Sequence, residues 1–351
     1  MDVKYRPLVL FIAGALLLWS PAVHRAGGQG ASDRGKMLIP HKSWTCGMAE
    51  GIPAPESGTV IFEAQMQIDK IYEVGKTPFG NRRAAVVRDG VLSGAKLSGF
   101  VTPGALDFEL QLSNGVIEIE QVLVLKTSNG QYIYVRSAGT GTDTNDVRVV
   151  MDFEAPNAGE FAWLNSGKYV ARRLVNATAK TMTLRVYDVS AVALPANSTN
   201  VIRIAKPSGV QEQPWEYRKA APSEKQGSLL ITESVTLSPS LRVGASKRGN
   251  RNIIPITGGD VSGRISGKVL AGGADYQNLT PPATIDARYL WQTNDGEIII
   301  VRNGGAFGSL VPTFEVRTDG PYAWLNTGSY LSSNPGPAAG GVGITMFDSI
   351  R

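Results

Sequence analysis

The chain has 351 residues, with 40 Gly, 20 Pro, 42% hydrophobic residues and a formal net charge of +5 that forms no basic block. This length suits two domains of ordinary size, each able to bury its own core. The absence of clustered Lys and Arg with interleaved stacking aromatics argues against a nucleic-acid partner.

At the N-terminus, Lys4 and Arg6 precede the apolar run Leu8 to Trp19, and Ser20-Pro21-Ala22 supplies small residues for cleavage. Residues 1–22 therefore read as a signal peptide, short for a membrane span, with a retained signal anchor as the other reading. The expected location is secreted or lumenal, with no stable membrane span after cleavage. Sequons at Asn176, Asn197 and Asn278 fit that route as glycosylation sites. Residues 23–57 read as an irregular segment. They hold the single cysteine, Cys46, which excludes an internal disulfide framework.

Residues 58–190 form the first of two related units. Val60, Phe62, Ala64, Met66 and Ile68 alternate with polar positions, as a half-buried strand requires. Val116 to Thr127 and Gln131 to Arg136 flank Ser128-Asn129-Gly130, a hairpin signal because both turn residues must accept positive φ. Residues 191–226 are punctuated by Pro195, Pro207, Pro214 and Pro222 and read as a linker, with Trp215 and Tyr217 available to pack it down. Residues 227–351 then repeat the first unit. Ala162-Trp163-Leu164-Asn165 returns as Ala323-Trp324-Leu325-Asn326, Phe153-Glu154 as Phe314-Glu315, and Gly80-Asn81-Arg82 as Gly249-Asn250-Arg251. A second hairpin is expected from Thr284 to Arg302 around Asp295-Gly296. Short strands without helical periodicity predict an all-β chain of two tandem antiparallel β-barrels, closure being the way such strands hide their edges.

The chemistry available is restricted. His24 and His41 are the chain's two histidines, and the first falls next to the expected cleavage site. A Ser-His-Asp triad, a Cys-His pair and a His/Cys zinc site are therefore not expected within the repeats, and no metal or cofactor is expected. Period-two counting puts Asp286, Arg288 and Gln292 on one face of their strand and Ile285, Ala287, Tyr289 and Trp291 on the other. Asp286 and Arg288 are either the floor of a pocket inside the barrel or a surface pair, and Glu118, Glu120 and Lys126 carry the same ambiguity. Trp163 and Trp324 plug barrel ends or touch ligand, with Asn165 and Asn326 shaping the turns. Glu154 and Glu315 either hold an Arg or act as acid or base. Asp275 and Tyr276 either meet a ligand at a barrel mouth or stabilise a turn.

The run Gly272-Gly273-Ala274-Asp275-Tyr276, Ile285-Asp286-Ala287-Arg288-Tyr289, Thr293-Asn294-Asp295-Gly296 and Tyr322-Ala323-Trp324-Leu325-Asn326 resembles a family of small bacterial and fungal β-barrel proteins of unknown function. The first copy is degenerate, with Pro103-Gly104-Ala105-Leu106-Asp107-Phe108 in place of the Gly-Gly-Ala-Asp-Tyr element. The tandem arrangement behind a secretion signal is similar to fungal hetero-Diels–Alderases of tropolone–sesquiterpene pathways, which join a tropolone quinone methide to a humulene-type alkene. That resemblance implies a cofactor-independent pericyclase. A pericyclic step suits the residue inventory, since it needs orientation and a donor rather than a nucleophile. The candidate catalytic residues are Arg288, Tyr289, Glu315, Arg136 and Glu154. The candidate substrate-binding residues are Trp291, Asp286, Tyr134, Asp275, Tyr276, Trp324 and Trp163. The expected partners are apolar small molecules, with a homodimer left open. The rival readings are a secreted carrier of a hydrophobic small molecule and a carboxylate-dependent isomerase or cyclase.

Overall fold

The computed structural model describes residues 35–41, 48, 50–193 and 200–351. The signal-peptide reading, His24, Cys46 and the Asn197 sequon lie outside the described residues. Among the described residues no helix is long and apolar enough to cross a membrane. Two closed antiparallel barrels of eight staves account for nearly all the regular structure. In the first, Thr59–Lys76, Asn81–Ser93, a stave broken into Gly99–Val101 and Ala105–Gln111, Ile117–Thr127, Tyr132–Gly141, Asp146–Glu154, Tyr169–Asn176 and Thr181–Asp188 pair in order, and Thr181–Asp188 closes on Thr59–Lys76. In the second, Gly249–Gly263, Gly267–Val269 with Ala274–Asn278, Thr284–Thr293, Ile298–Ala306, Ser309–Glu315, Tyr330–Ser332 and Gly341–Ile350 repeat the path. Its first stave is divided into Lys225–Leu237 and Leu241–Ser246, and Lys225–Leu237 closes the ring on Gly341–Ile350.

Both expected hairpins form, with Gly130 at φ 86° and Gly296 at φ 95°, a region that favours a residue without Cβ. Phe62, Ala64, Met66 and Ile68 face the first core, but Val60 does not and is 43% exposed. The register shifts between Val186 and Tyr187, so Val60 pairs with Tyr187 while Ile61 takes the buried place. A bulge of this kind reverses the side-chain alternation, which simple counting cannot foresee.

The outer faces are not all wet. Nearly the whole strand Ile117–Thr127 is buried, because inward Ile119, Leu123 and Leu125 serve the barrel core while outward Val122 and Val124 join a separate cluster. That cluster holds Ala84, Leu106, Phe108 and Tyr134 of the first barrel together with Val243, Ile253, Tyr276 and Leu290 of the second, so the barrels share a third core between them. A short parallel pair, Met37–Ile39 with Val201–Arg203, covers another flank of the first barrel and packs Leu38 and Ile52 over Leu110, Val150 and Val170.

Candidate functional site

Where the two barrels meet, the repeat is matched contact for contact. Arg82 of the first barrel donates through Nε and Nη2 to Glu315 of the second at 2.9 and 2.8 Å, and Arg251 of the second donates likewise to Glu154 of the first at 2.7 and 2.8 Å. Thr77 adds a hydroxyl to Glu315 at 2.6 Å, and Ser246 adds one to Glu154 at 2.7 Å. The Thr318 amide donates to the Lys76 carbonyl at 2.7 Å, and the Asn157 amide to the Ala245 carbonyl at 2.8 Å. Each partner is the repeat counterpart of the other, so the barrels are joined by an approximate two-fold axis, as in an isologous dimer interface. Near it Gly273 donates its amide to the Gly104 carbonyl at 2.7 Å. Gly273 sits at φ +77°, and a Cβ there would stand 1.9 Å from the Arg288 carbonyl oxygen.

Close to the axis the symmetry is broken. Glu120 with Arg136 in one barrel corresponds to Asp286 with Arg302 in the other, each an outward-facing cross-strand pair. Arg136 donates to Glu120 at 2.9 and 2.8 Å, and Arg302 donates to Asp286 at 2.7 and 2.9 Å. Arg288 has Val122 as its counterpart and links both acids, at 2.5 Å to Glu120 and 3.1 Å to Asp286. Burial alone would raise the Glu120 carboxyl, but Arg288 and Arg136 outweigh it and hold its pKa at about 2. The same contest leaves Asp286 well below the usual carboxylate range. The Arg288 side chain is 5% exposed, and its buried Nε has no hydrogen-bond partner among the described residues.

A cavity of about 420 Å³ opens beside this cluster. Phe79, Phe108, Ile300 and Phe314 give it apolar walls, while Arg82, Glu120, Arg288, Arg302 and Glu315 supply the polar ones. The segment from Gln211 to Arg218 lies over it as a strap. The Trp215 ring stacks 3.5 Å from the Arg136 guanidinium, and its carbonyl accepts from Arg136. Tyr217 lies against Gly304, where any Cβ would meet its ring at 2.5 Å. Across the axis the positions of Ile300 and Phe108 are held by Tyr134 and Tyr276, whose rings stack with centroids 5.2 Å apart. Burial pushes the Tyr134 hydroxyl up to about 12 and the Tyr276 hydroxyl well above its ordinary value.

The structure therefore sorts the expected site residues. Arg288 and Glu315 line the cavity, with Asp286 behind Arg288. Asp286 and Arg288 are neither a barrel floor nor a surface pair: they point outward from one barrel and are covered by the other. Arg136 and Glu154 also lie between the barrels, Arg136 under the strap and Glu154 in the reciprocal pair with Arg251. Tyr289 and Trp291 lie apart from this cavity because the pleat turns them into the second barrel, where they donate to Glu233 at 2.6 and 3.0 Å. Burial pushes Glu233 up to about 7, those two hydrogen bonds notwithstanding. Asp275 also points inward, raised to about 6 by burial, and Tyr276 points to the interface, both from the strand Ala274–Asn278 rather than from a turn. Trp163 and Trp324 sit in 3-10 turns, half-buried against Tyr169 and Tyr330, and it is Leu164 and Leu325 that enter the cores. Asn165 and Asn326 clamp those turns by paired hydrogen bonds to the backbone of Ala155 and Val316.

Sequence reasoning passed over Arg82, Phe79, Phe108 and Ile300. Arg82 could have been found, since Gly-Asn-Arg and Phe-Glu are each retained in both copies. His41 was set apart from the repeats, yet it contacts Glu118 on the outer face of the first barrel. Of the sequons, Asn176 is exposed at the end of its strand and Asn278 donates to the Arg248 carbonyl at 2.9 Å.

Residues 57–192 and 226–309 match the family described as Protein of unknown function (DUF3237). A UPF0311 protein of Bradyrhizobium diazoefficiens is 38% identical over 95 residues, which are 26% of this chain and 62% of that protein. The match thus spans less than two thirds of that relative. Among solved structures, a conserved protein of unknown function from Rhodopseudomonas palustris aligns with a TM-score of 0.34 and 22% identity, covering 37% of this chain and 95% of that one. An enzyme from Penicillium herquei aligns with a TM-score of 0.30 and 16% identity, covering 37% and 90%.

Proposed function

Because this chain belongs to the DUF3237 family, two copies of which are fused in it, we propose that the cavity between the copies is its working site. There it acts as a cofactor-independent cyclase, joining a tropolone quinone methide to a humulene-type sesquiterpene by an intermolecular hetero-Diels–Alder reaction in the secretory route. The observation that carries this reading is Arg288, a nearly buried guanidinium on the wall of an otherwise largely apolar cavity. In the proposed step the C=C–C=O unit of the quinone methide contributes four π electrons and the alkene two. One C–C and one C–O bond form, and no atom or proton leaves. Negative charge grows on the carbonyl oxygen, and a pre-oriented guanidinium stabilises it without reorganising. The apolar walls hold the two partners together, which removes orientational entropy worth several kcal/mol.

A carboxylate base fits less well. Glu315 already accepts three hydrogen bonds from Arg82 and Thr77, and Glu154 is held by Arg251 and Ser246, so both carboxylates are committed to the ion pairs that join the barrels. The test is incubation of the purified protein with a humulene-type alkene and a tropolone quinone-methide precursor, followed by chiral chromatography. A single enantiomer formed faster than background is expected, and Arg288→Met should lower turnover by roughly 10²-fold. Racemic product at the uncatalysed rate rejects the cyclase, and saturable binding in that sample would establish a carrier instead.

A further inference from the structure

The charges at the barrel interface do not balance. Three guanidinia, Arg136, Arg288 and Arg302, converge on two carboxylates, Glu120 and Asp286. Of the other acids nearby, Glu216 lies 3.7 Å from Arg136 but is 72% exposed at the rim, Asp152 pairs with Lys247 and Arg248, and Glu118 contacts His41. The other charges on the cavity wall are already matched, Arg82 by Glu315 and Arg218 by Glu224. The Tyr134 and Tyr276 hydroxyls are held neutral by burial. Apart from Glu216, the strap offers these arginines backbone carbonyls, from Trp215 to Arg136 and from Pro214 to Arg302, and the rings of Trp215 and Tyr217. Within this cluster the guanidinia thus outnumber the carboxylates three to two, and Arg288, which bridges both acids, is the one without a counterpart in the first barrel. An unbalanced buried cation is costly unless something completes it.

We propose that the cavity takes a monoanionic ligand, an apolar skeleton bearing a carboxylate, enolate or phenolate oxygen, and that this oxyanion pairs with the Arg288 guanidinium on the cavity wall. The inference rests on the cavity being the working site and narrows its substrate class: one of the reacting partners binds as an acid anion. Phe79, Phe108, Ile300 and Phe314 then receive the hydrocarbon part. An apolar residue at this strand position is compatible with the fold, since Val122 occupies it in the first barrel. Removing Arg288 leaves two guanidinia facing two carboxylates, a balanced set.

The experiment compares 2-naphthoate with its neutral isostere 2-naphthamide by isothermal titration of the full-length protein. The wild type is expected to bind the acid about tenfold or more tighter than the amide. Arg288→Met should abolish that preference while leaving amide affinity within about twofold. Arg288→Lys, which keeps the charge and lacks the planar fork, should weaken the preference, and it replaces the Met variant if that does not fold. Failure of the wild type to bind the acid better than the amide overturns the proposal, as does a preference undiminished in the variants. Loss of turnover with the anion preference intact would sink the cyclase and keep the site. Turnover without the preference would do the reverse.

Discussion

Glu233 shows how a single replacement changes a barrel interior. By strand register its counterpart in the first barrel is Ala64, and the Tyr289 and Trp291 that donate to it stand where Leu123 and Leu125 stand there. The first barrel pairs its own inner acid, Asp107, bidentately with Arg173, whereas Asp275 in the second has no such cation beside it. Burial raises Glu233 from an ordinary value of 4.5 to about 7, so between those limits the folded state keeps a proton that the unfolded chain has lost. Stability from this source is complete below the lower limit and falls as pH rises toward the upper one. Asp275 acts in the same sense. Glu120 and Asp286, depressed by their arginines, lose their contribution only at more acid pH. Urea unfolding should therefore show the wild type less stable at about pH 7.5 than at about pH 5, with Glu233 accounting for roughly 2–3 kcal/mol. Glu233→Gln should remove most of that slope, and an unchanged slope would mean that Glu233 is ionised throughout.

The strap is held by a few contacts, of which the seat of Tyr217 on Gly304 is the most easily disturbed. Gly304→Ala should push Tyr217 away and loosen the segment without unfolding the strand. Trypsin is then expected to cut at Arg218 or Lys219 several times faster than in the wild type, at an unchanged melting temperature. Equal cleavage rates would show that Tyr217 does not anchor the strap. The strands were legible in the sequence because their signals are local: alternation along Phe62 to Ile68, Asn-Gly and Asp-Gly turns, and retained phrases in both copies. Counting by twos also separated Asp286 and Arg288 from Tyr289 and Trp291. It could not say what covers the outward face, because alternation records that two faces differ and not that a second barrel lies on one of them. Nor could it pair Arg82 with Glu315, which are 233 residues apart and meet only through the tertiary arrangement.

At the scale of the molecule, the shared core and the two reciprocal ion pairs tie the barrels into one unit. Arg82 is 1% exposed and Glu154 3%, so parting the barrels would strand buried charges as well as apolar surface. Calorimetry should accordingly give one cooperative transition for both barrels, and two resolved peaks would show that they melt independently. Covalent linkage also frees the pair from a rule that binds any assembly of identical subunits. In a true homodimer every substitution near the axis arrives twice, and an arginine at this strand position would confront its own image in a buried space. A duplicated gene can alter one half and leave the other. Arg288 opposite Val122 is such a change, and so is Ile300 opposite Tyr134. The cost is a lost half-site, and the gain is a single asymmetric chamber in which two unlike molecules can be told apart.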